Sequence, residues 1–270
     1  MTLASAPADT VLVDTHVHVF KQDMPLVANP RHRPDYSFTV EQLLGTMDRH
    51  GVHYAVIAAA SPWGDYNDYV IESLGKSPRL RGTIIADPSI ERLVLDHMHA
   101  AGIRGVRLPF ISLDRLPDLE SWDYRKFLRR LADLDWHVHL HIEGPRLPEV
   151  LPTLERSGVK IVIDHIGRPD PVAGVDSDGF RAMLRSIEKG RTWVKLSGAY
   201  RLGANARDCA RALCKEAGYD RLMWASDCPF VGAESTMTYA AAIAWLEDTI
   251  EDAAARRRVF GANALSFYFS

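Results

Sequence analysis

Thr15-His16-Val17-His18 sets two histidines two positions apart at the end of a short apolar run, Val11, Leu12 and Val13. Side chains alternate between the faces of a strand, so His16 and His18 project from one wall, with Asp14 just before them. Two imidazoles so placed can grip a metal ion or a substrate oxygen, although the triplet alone fits a hydrogen-bonded structural pair as well. Far along the chain a second apolar run, Leu222-Met223-Trp224-Ala225-Ser226-Asp227, ends in a carboxylate. A carboxylate can take a proton from water, creating a nucleophile, and return it to a leaving alkoxide. Whether these groups meet depends on the elements between them.

Composition sets the bounds. The 270 residues are 47% apolar and 25% charged, enough to bury a full core, and no Ser/Gly tract, charge block or low-complexity run divides them. The Pro-rich stretch Asn29 to Pro34 reads only as a loop. No apolar run approaches the ~20 residues of a membrane span, and Met1 to Asp9 lacks the basic start and apolar centre of a signal peptide, so the expected location is cytoplasmic. The three cysteines, Cys209, Cys214 and Cys228, suggest neither a disulfide framework nor a zinc site. A formal charge of −3 gives no reason to expect nucleic acid as a partner, and a homo-oligomer is compatible with the chain.

Eight β-branched or apolar runs read as strands: Val11 to His18, His53 to Ala59, Gly82 to Ala86, Ile103 to Leu108, Trp136 to Ile142, Val159 to Asp164, Thr192 to Leu196 and Arg221 to Ala225. Helical periods lie between them. Val40, Leu43, Leu44 and Met47 follow a Thr39/Gln42 capping box; Leu93, Val94, His97, Met98 and Ala101 stop at Gly102; further periods centre on Phe127 to Leu134, Leu147 to Leu154 and Phe180 to Ile187. Strict alternation over eight repeats predicts a single-domain (β/α)8 barrel; no GxGxxG follows any strand, which argues against two Rossmann-like halves. In such a barrel the strand C-termini face one mouth. Polar groups gather at these ends: His16 and His18, Ser61, Arg107, His139 and His141, Asp164 to Pro169, Lys195 and Ser197, and Asp227.

HVH on strand one, IDHIGRP after strand six, VKLSGAYR after strand seven, WASDCPF after strand eight and a terminal GANALSFYF together resemble the amidohydrolase superfamily, in order over essentially the whole chain. More narrowly they resemble its lactonase branch, which acts on pyrone-dicarboxylate, sulfomuconolactone and sugar lactones. The resemblance implies that Asp227 activates water and that His165, with His16 and His18, holds or polarises the carbonyl. It implies carboxylate binding by Arg107, Arg168 and Arg201, whose guanidinium forks suit carboxylate or sulfonate oxygens. In most amidohydrolases the strand-one histidines and strand-eight aspartate hold a divalent ion, which here would make His16, His18 and Asp227 ligands of zinc or manganese. His141 and His165 could join such a set, but Arg107 stands where a metal bridge wants an anion; the dicarboxylate lactonase of this branch works without a metal and has tyrosine where this chain has His141, so the resemblance leaves one mononuclear ion and no ion both open. Without an ion, His141 is a substrate contact. Ser61, Trp63, Asn67 and Tyr36 are expected to shape the pocket, while Lys195, reading as a partner of Asp164 or Asp227, and Arg115 and His139 have no settled role. The expected activity is hydrolysis of a small anionic lactone; a decarboxylase on the same barrel and a non-catalytic binding protein are the alternatives.

Overall fold

Each of the eight apolar runs forms a strand, and each pairs in parallel with its sequence neighbours: β1 (Val13–Val17), β2 (Tyr54–Ala58), β3 (Leu80–Ile84), β4 (Ile103–Pro109), β5 (His137–His141), β6 (Lys160–Ile163), β7 (Thr192–Leu196) and β8 (Leu222–Trp224). The computed structural model describes residues 10–111 and 113–270. Segment 1–9, read above as unlike a signal peptide, and Ser112 lie outside the described residues. The barrel closes just beyond β8. Val17 bridges Cys228 in parallel, the His18 N–H donates to the Cys228 carbonyl at 2.8 Å, and the Asp227 N–H donates to the His16 carbonyl at 3.0 Å.

Helices fill the seven crossovers: α1 (Val40–Arg49), α2 (Asp68–Leu74), α3 (Arg92–Ala100), α4 (Trp122–Asp133), α5 (Leu147–Ser157), α6 (Asp178–Glu188) and α7 (Ala206–Ala217); α8 (Tyr239–Thr249), α9 (Ala253–Arg257) and α10 (Asn263–Tyr268) follow β8. The α1 capping box forms as expected, Thr39 and Gln42 each satisfying the other's backbone amide. Gly158 ends α5 in the left-handed conformation, at φ 78° and ψ 3°, which glycine adopts without a Cβ clash. The sequence periods did not delineate α2 or α8. The first, with Tyr69, Val70 and Leu74 inward, is only seven residues long, too short for a period to show, and the second is alanine-rich with little contrast between its faces.

Two local expectations are corrected. Strand β3 begins at Leu80 rather than Gly82: Arg81 interrupts the apolar run, but Leu80 is buried opposite Ala55 and the Arg81 guanidinium lies 4.8 Å from the centre of the Phe269 ring. On α3 the inward residue is Leu95, fully buried, with Met98 one turn later; Leu93 and Val94, expected on the core face, are 63% and 41% exposed. No described helix is long and apolar enough to cross a membrane, and Cys209, Cys214 and Cys228 are buried and unpaired.

The barrel interior changes character along its axis. At the N-terminal end Val13, Val56, Val162 and Met223 pack with Ala264 and Tyr268 of α10. Two residues further along β6 and β7, Val162 gives way to Asp164 and the partly buried Trp193 to Lys195, so the next layer is polar. An irregularity in the β1–β2 pairing lies between Asp14 and Val17, the segment that carries His16.

Asp14 sits buried at the β1–β8 seam. Its Oδ1 accepts the backbone N–H groups of Ser226, at 2.9 Å, and His16, at 3.2 Å, while its Oδ2 accepts the Tyr239 hydroxyl of α8 at 2.5 Å. One carboxylate therefore ties the first strand, the last strand and the helix that follows it. Removing it strands buried donors, which costs more than an average hydrogen bond. Asp14→Ala is expected to lower unfolding free energy by about 2–4 kcal/mol in urea titrations; a loss under about 0.5 kcal/mol, the range of neutral surface changes, would remove the seam from the account.

Candidate active site

His16 and His18 present the same atom to the same point. The His18 Nδ1 lies 2.7 Å from the Ala58 carbonyl, which only accepts, so that nitrogen carries the proton. The His16 Nδ1 lies 3.0 Å from Asp164 Oδ1 and donates likewise. In the neutral rings both Nε2 atoms therefore carry lone pairs, yet they stand 3.1 Å apart, and Asp227 Oδ1 is 3.6 Å from each. Three electron-pair donors facing one another at this range call for a cation between them, either a shared proton or a divalent ion. The set of two imidazoles and one carboxylate fits a single zinc or manganese ion, and the atoms lie within 4.8 Å of one another. His16, Asp164 and His165 form a second such group.

Asp227 divides its two oxygens between two tasks. Oδ2 accepts the Tyr200 hydroxyl at 2.6 Å and the Arg201 Nε–H at 2.7 Å, with His165 Nε2 at 4.0 Å, which leaves Oδ1 facing the histidine pair. Burial alone would raise its pKa, but His165, a proton shared with His18 Nε2 and the Arg201 guanidinium together hold it well below the usual carboxylate range. Asp227 has φ 69°, and of the six described non-glycine residues with left-handed φ, five (His165, Ile166, Arg168, Asp227 and Phe230) follow β6 and β8. Such strain concentrates where the surrounding structure must dictate side-chain aim. Gly198, at φ 62°, lets the β7 loop approach His165: a Cβ there would lie 2.6 Å from its Nδ1, which instead meets Ser197 Oγ at 2.9 Å.

Beneath these groups lies a buried ionic layer. Asp164 is 3.0 Å from His16 Nδ1, 2.5 Å from His139 Nε2, 3.4 Å from Arg107 and 3.5 Å from Lys195 Nζ. Lys195 is thus a partner of Asp164, one of the two roles open to it in the sequence, and burial, only partly offset by Asp164, lowers its pKa to about 8. His139 belongs to the same layer, with its Nε2 2.9 Å from Lys195 Nζ.

A narrow pocket opens above, lined by His18, Arg107, His141, His165, Arg201 and Asp227 together with Ser61 and Trp63. Arg107 donates to the Ala59 carbonyl and to His141 Nδ1, each at 3.1 Å. Because Arg107 can only donate, His141 Nδ1 accepts, and the neutral ring carries its proton on Nε2. That N–H is buried without a partner among the described residues, as are Trp63 Nε1 and Arg107 Nε; Arg168 Nη1 is likewise unpartnered, but Arg168, expected to bind substrate, is not among the residues that line the pocket. All four are N–H donors. Asp227 is the acidic residue lining the pocket among the described residues, and Arg201 is already bonded to it.

Other expectations fall elsewhere. Asn67 does not line the pocket; its amide donates to the Ile85 carbonyl at 2.7 Å and accepts the Ile85 N–H at 3.1 Å, stitching two loops. Tyr36 donates to Glu234, and Arg115 is exposed. Sequence reasoning missed Tyr200, quoted only within a motif, and it passed over Arg31 and His32: the stretch from Asn29 to Pro34 is more than a connecting loop, since both residues line the pocket. The signal was available, because two guanidiniums, Arg31 and Arg33, follow β1 on the mouth side of the barrel.

These buried groups set an acid limit on stability. Burial holds His16, His139 and His141 well below the ordinary imidazole value of 6.5, His165 down to about 4 and His137 down to about 3. Below pH 6.5 the unfolded chain binds protons that the folded chain refuses, so stability falls with pH from there toward 4. Asp164 and Asp227, held below their ordinary 3.8, extend the loss in the same direction at still lower pH. In chelator-treated protein the urea midpoint is expected to drop steeply from pH 7 to about 4.5; a flat profile would contradict neutral buried histidines.

Comparison with known proteins agrees with this architecture. The family model described as amidohydrolase matches residues 13–269. The chain is 31% identical over 236 residues to a 2-pyrone-4,6-dicarboxylate hydrolase of Comamonas testosteroni, covering 80% of this chain and 76% of that one. It is 29% identical over 228 residues to a 4-sulfomuconolactone hydrolase of Rhizobium radiobacter, covering 81% and 76%. Among solved structures, a probable 2-pyrone-4,6-dicarboxylic acid hydrolase from Acinetobacter baumannii, with citric acid bound, superposes with a TM-score of 0.90 at 30% identity over 96% of this chain and 99% of the other. From the first residue of β1 to the last turn of the chain, the protein belongs to the amidohydrolase family.

Proposed function

We propose that this chain is a hydrolase that opens a small anionic lactone: a carboxylated or sulfonated pyrone or muconolactone, or a sugar-acid lactone. The observation that carries the reading is the set of unpartnered N–H donors, Trp63 Nε1, Arg107 Nε and His141 Nε2, around a pocket with one carboxylate in its wall. Buried donors without acceptors are costly, and an anion rich in oxygen atoms relieves that cost. The names of the relatives, hydrolases of dicarboxylate and sulfonate lactones, support the same substrate class. The three unpaired cysteines suit the reducing cytoplasm.

In the proposed reaction Asp227 Oδ1 accepts a proton from water as the water oxygen attacks the lactone carbonyl, and charge gathers on the carbonyl oxygen. His165 and the His16–His18 pair stand beside Asp227 to orient the carbonyl, and buried N–H groups are the donors that steady the oxyanion. When the ring C–O bond breaks, Asp227 returns its proton to the departing alkoxide. Arg107, Arg168 and Arg201 hold the acidic substituents, with Arg201 also fixing Asp227, and His141 and Ser61 complete the contact surface. A zinc or manganese ion bound by His16, His18 and Asp227 would supply Lewis-acid polarisation and a more acidic water. The depressed pKa of Asp227 makes it a weak base, so the proposal relies on electrophilic activation of the carbonyl as much as on proton abstraction.

A pH-indicator screen of carboxylated, sulfonated and neutral sugar lactones is expected to find turnover of an anionic lactone with proton release and no carbon dioxide. Asp227→Asn should retain the fold and substrate binding and lose about 100-fold or more in kcat. Carbon dioxide as product, or near-normal turnover by the folded variant, would overturn the reaction or the role of Asp227.

A further inference from the structure

The β1–α1 loop brings a further guanidinium to the pocket. Arg31 lines the same cavity as Arg107, His141, Arg201 and Asp227, and among the described residues it makes no hydrogen bond or ion pair. The other three arginines are engaged or offset: Arg107 by Asp164 and His141, Arg201 by Asp227, and Arg168 in part by Glu143. Although its side chain reaches solvent, partial desolvation at the pocket rim comes first in disfavouring Arg31 as a cation, followed by Arg168, Arg201 and Arg107, with Glu143 offsetting part. An anion bound beside Arg31 would relieve this repulsion from Arg168, Arg201 and Arg107.

Its position is fixed by the fold. Phe20 and Phe38 form an antiparallel bridge at the base of the loop, each N–H reaching the other's carbonyl at 2.9 Å. The Val27 N–H donates to the Pro62 carbonyl of the next loop at 2.9 Å, and His32 packs against Gly232, where a Cβ would stand 3.2 Å from its Cε1. The loop is thus braced against its neighbours after β2 and after β8. The guanidiniums also form a gradient in depth, since Arg107 is buried, Arg168 and Arg201 are partly exposed and Arg31 is exposed.

We propose that Arg31 is a specificity-determining residue that binds a second anionic group at the outer end of the substrate, while the deeper guanidiniums hold the first. The proposal rests on the anionic-lactone reading and names the number and disposition of the charges. A substrate with a single charge at the pocket floor leaves Arg31 uncompensated, whereas one with charges at both ends neutralises floor and rim together. The planar fork of arginine suits a carboxylate or sulfonate edge at this rim.

The test is calorimetric binding of isophthalate, which has two carboxylates, and of benzoate, which has one, to wild type, Arg31→Met and Arg31→Lys. Arg31 is exposed on a loop, so the variants are expected to fold. The wild type should bind isophthalate the more tightly; Arg31→Met should weaken isophthalate by about 10- to 100-fold and benzoate by less than about threefold, and Arg31→Lys should recover part of the loss. On a lactone with two anionic groups, Arg31→Met should raise KM by a similar factor with kcat within about threefold. Equal weakening of both probes, no weakening, or no preference for isophthalate in the wild type would overturn the role of Arg31. If the wild type turns over no lactone, the hydrolase reading fails, and the calorimetry still decides whether Arg31 reads a second charge.

Discussion

The hydrogen bond from the Asp227 N–H to the His16 carbonyl is the constraint on which the site depends. It closes the barrel between the first and last strands and, with the same stroke, brings together two groups more than two hundred residues apart in sequence. Asp14 reinforces it by holding the amides of His16 and Ser226 on one oxygen. A parallel strand pair needs a long crossover, and here the crossover is the whole chain, so the HVH triplet and its carboxylate meet only when all six intervening strands are in place. Chemistry and folding are therefore coupled at one seam.

Charge is arranged in layers above an apolar floor. Val13, Val56, Val162 and Met223 exclude water from the bottom of the barrel, Asp164 then gathers His16, His139, Arg107 and Lys195, and Asp227 stands above with Tyr200 and Arg201 on one oxygen. Buried ions are costly unless fully paired, and a layer so densely connected lowers flexibility more surely than it raises stability. Its consequence for the site is definite. Asp164 fixes the His16 tautomer, the Ala58 carbonyl fixes that of His18, and Arg107 fixes that of His141. The first two rings thereby offer lone pairs, and the third offers a proton.

The strand order and most helices were legible in the sequence because strands buried on both faces read as continuous apolar runs, and because capping residues and glycine stops bracket the helices. Where a charged residue serves the fold, as Arg81 does against Phe269, the run broke and the strand start shifted. The face of α3 was misjudged because Leu93, Val94 and Met98 satisfy a helical period while Leu95 is the residue that meets the core. Strand-end polar groups pointed to the mouth, but their pairings were not legible: sequence cannot say that Lys195 faces Asp164 or that Asn67 turns to Ile85. Arg31 and His32 were passed over because a proline-rich loop carries no periodicity, and only the third dimension shows which loops lean over the pocket.

The central claim is that the pocket is built for charge carried by the lactone rather than for the lactone ring alone. It is tested most directly by kcat/KM for a carboxylated lactone and for its methyl ester, measured with the same preparation, since the reacting carbonyl is the same and only the charge differs. The account predicts a preference for the carboxylate of about 100-fold or more, shrinking as salt is added. Equal rates, or a preference for the ester, would contradict it.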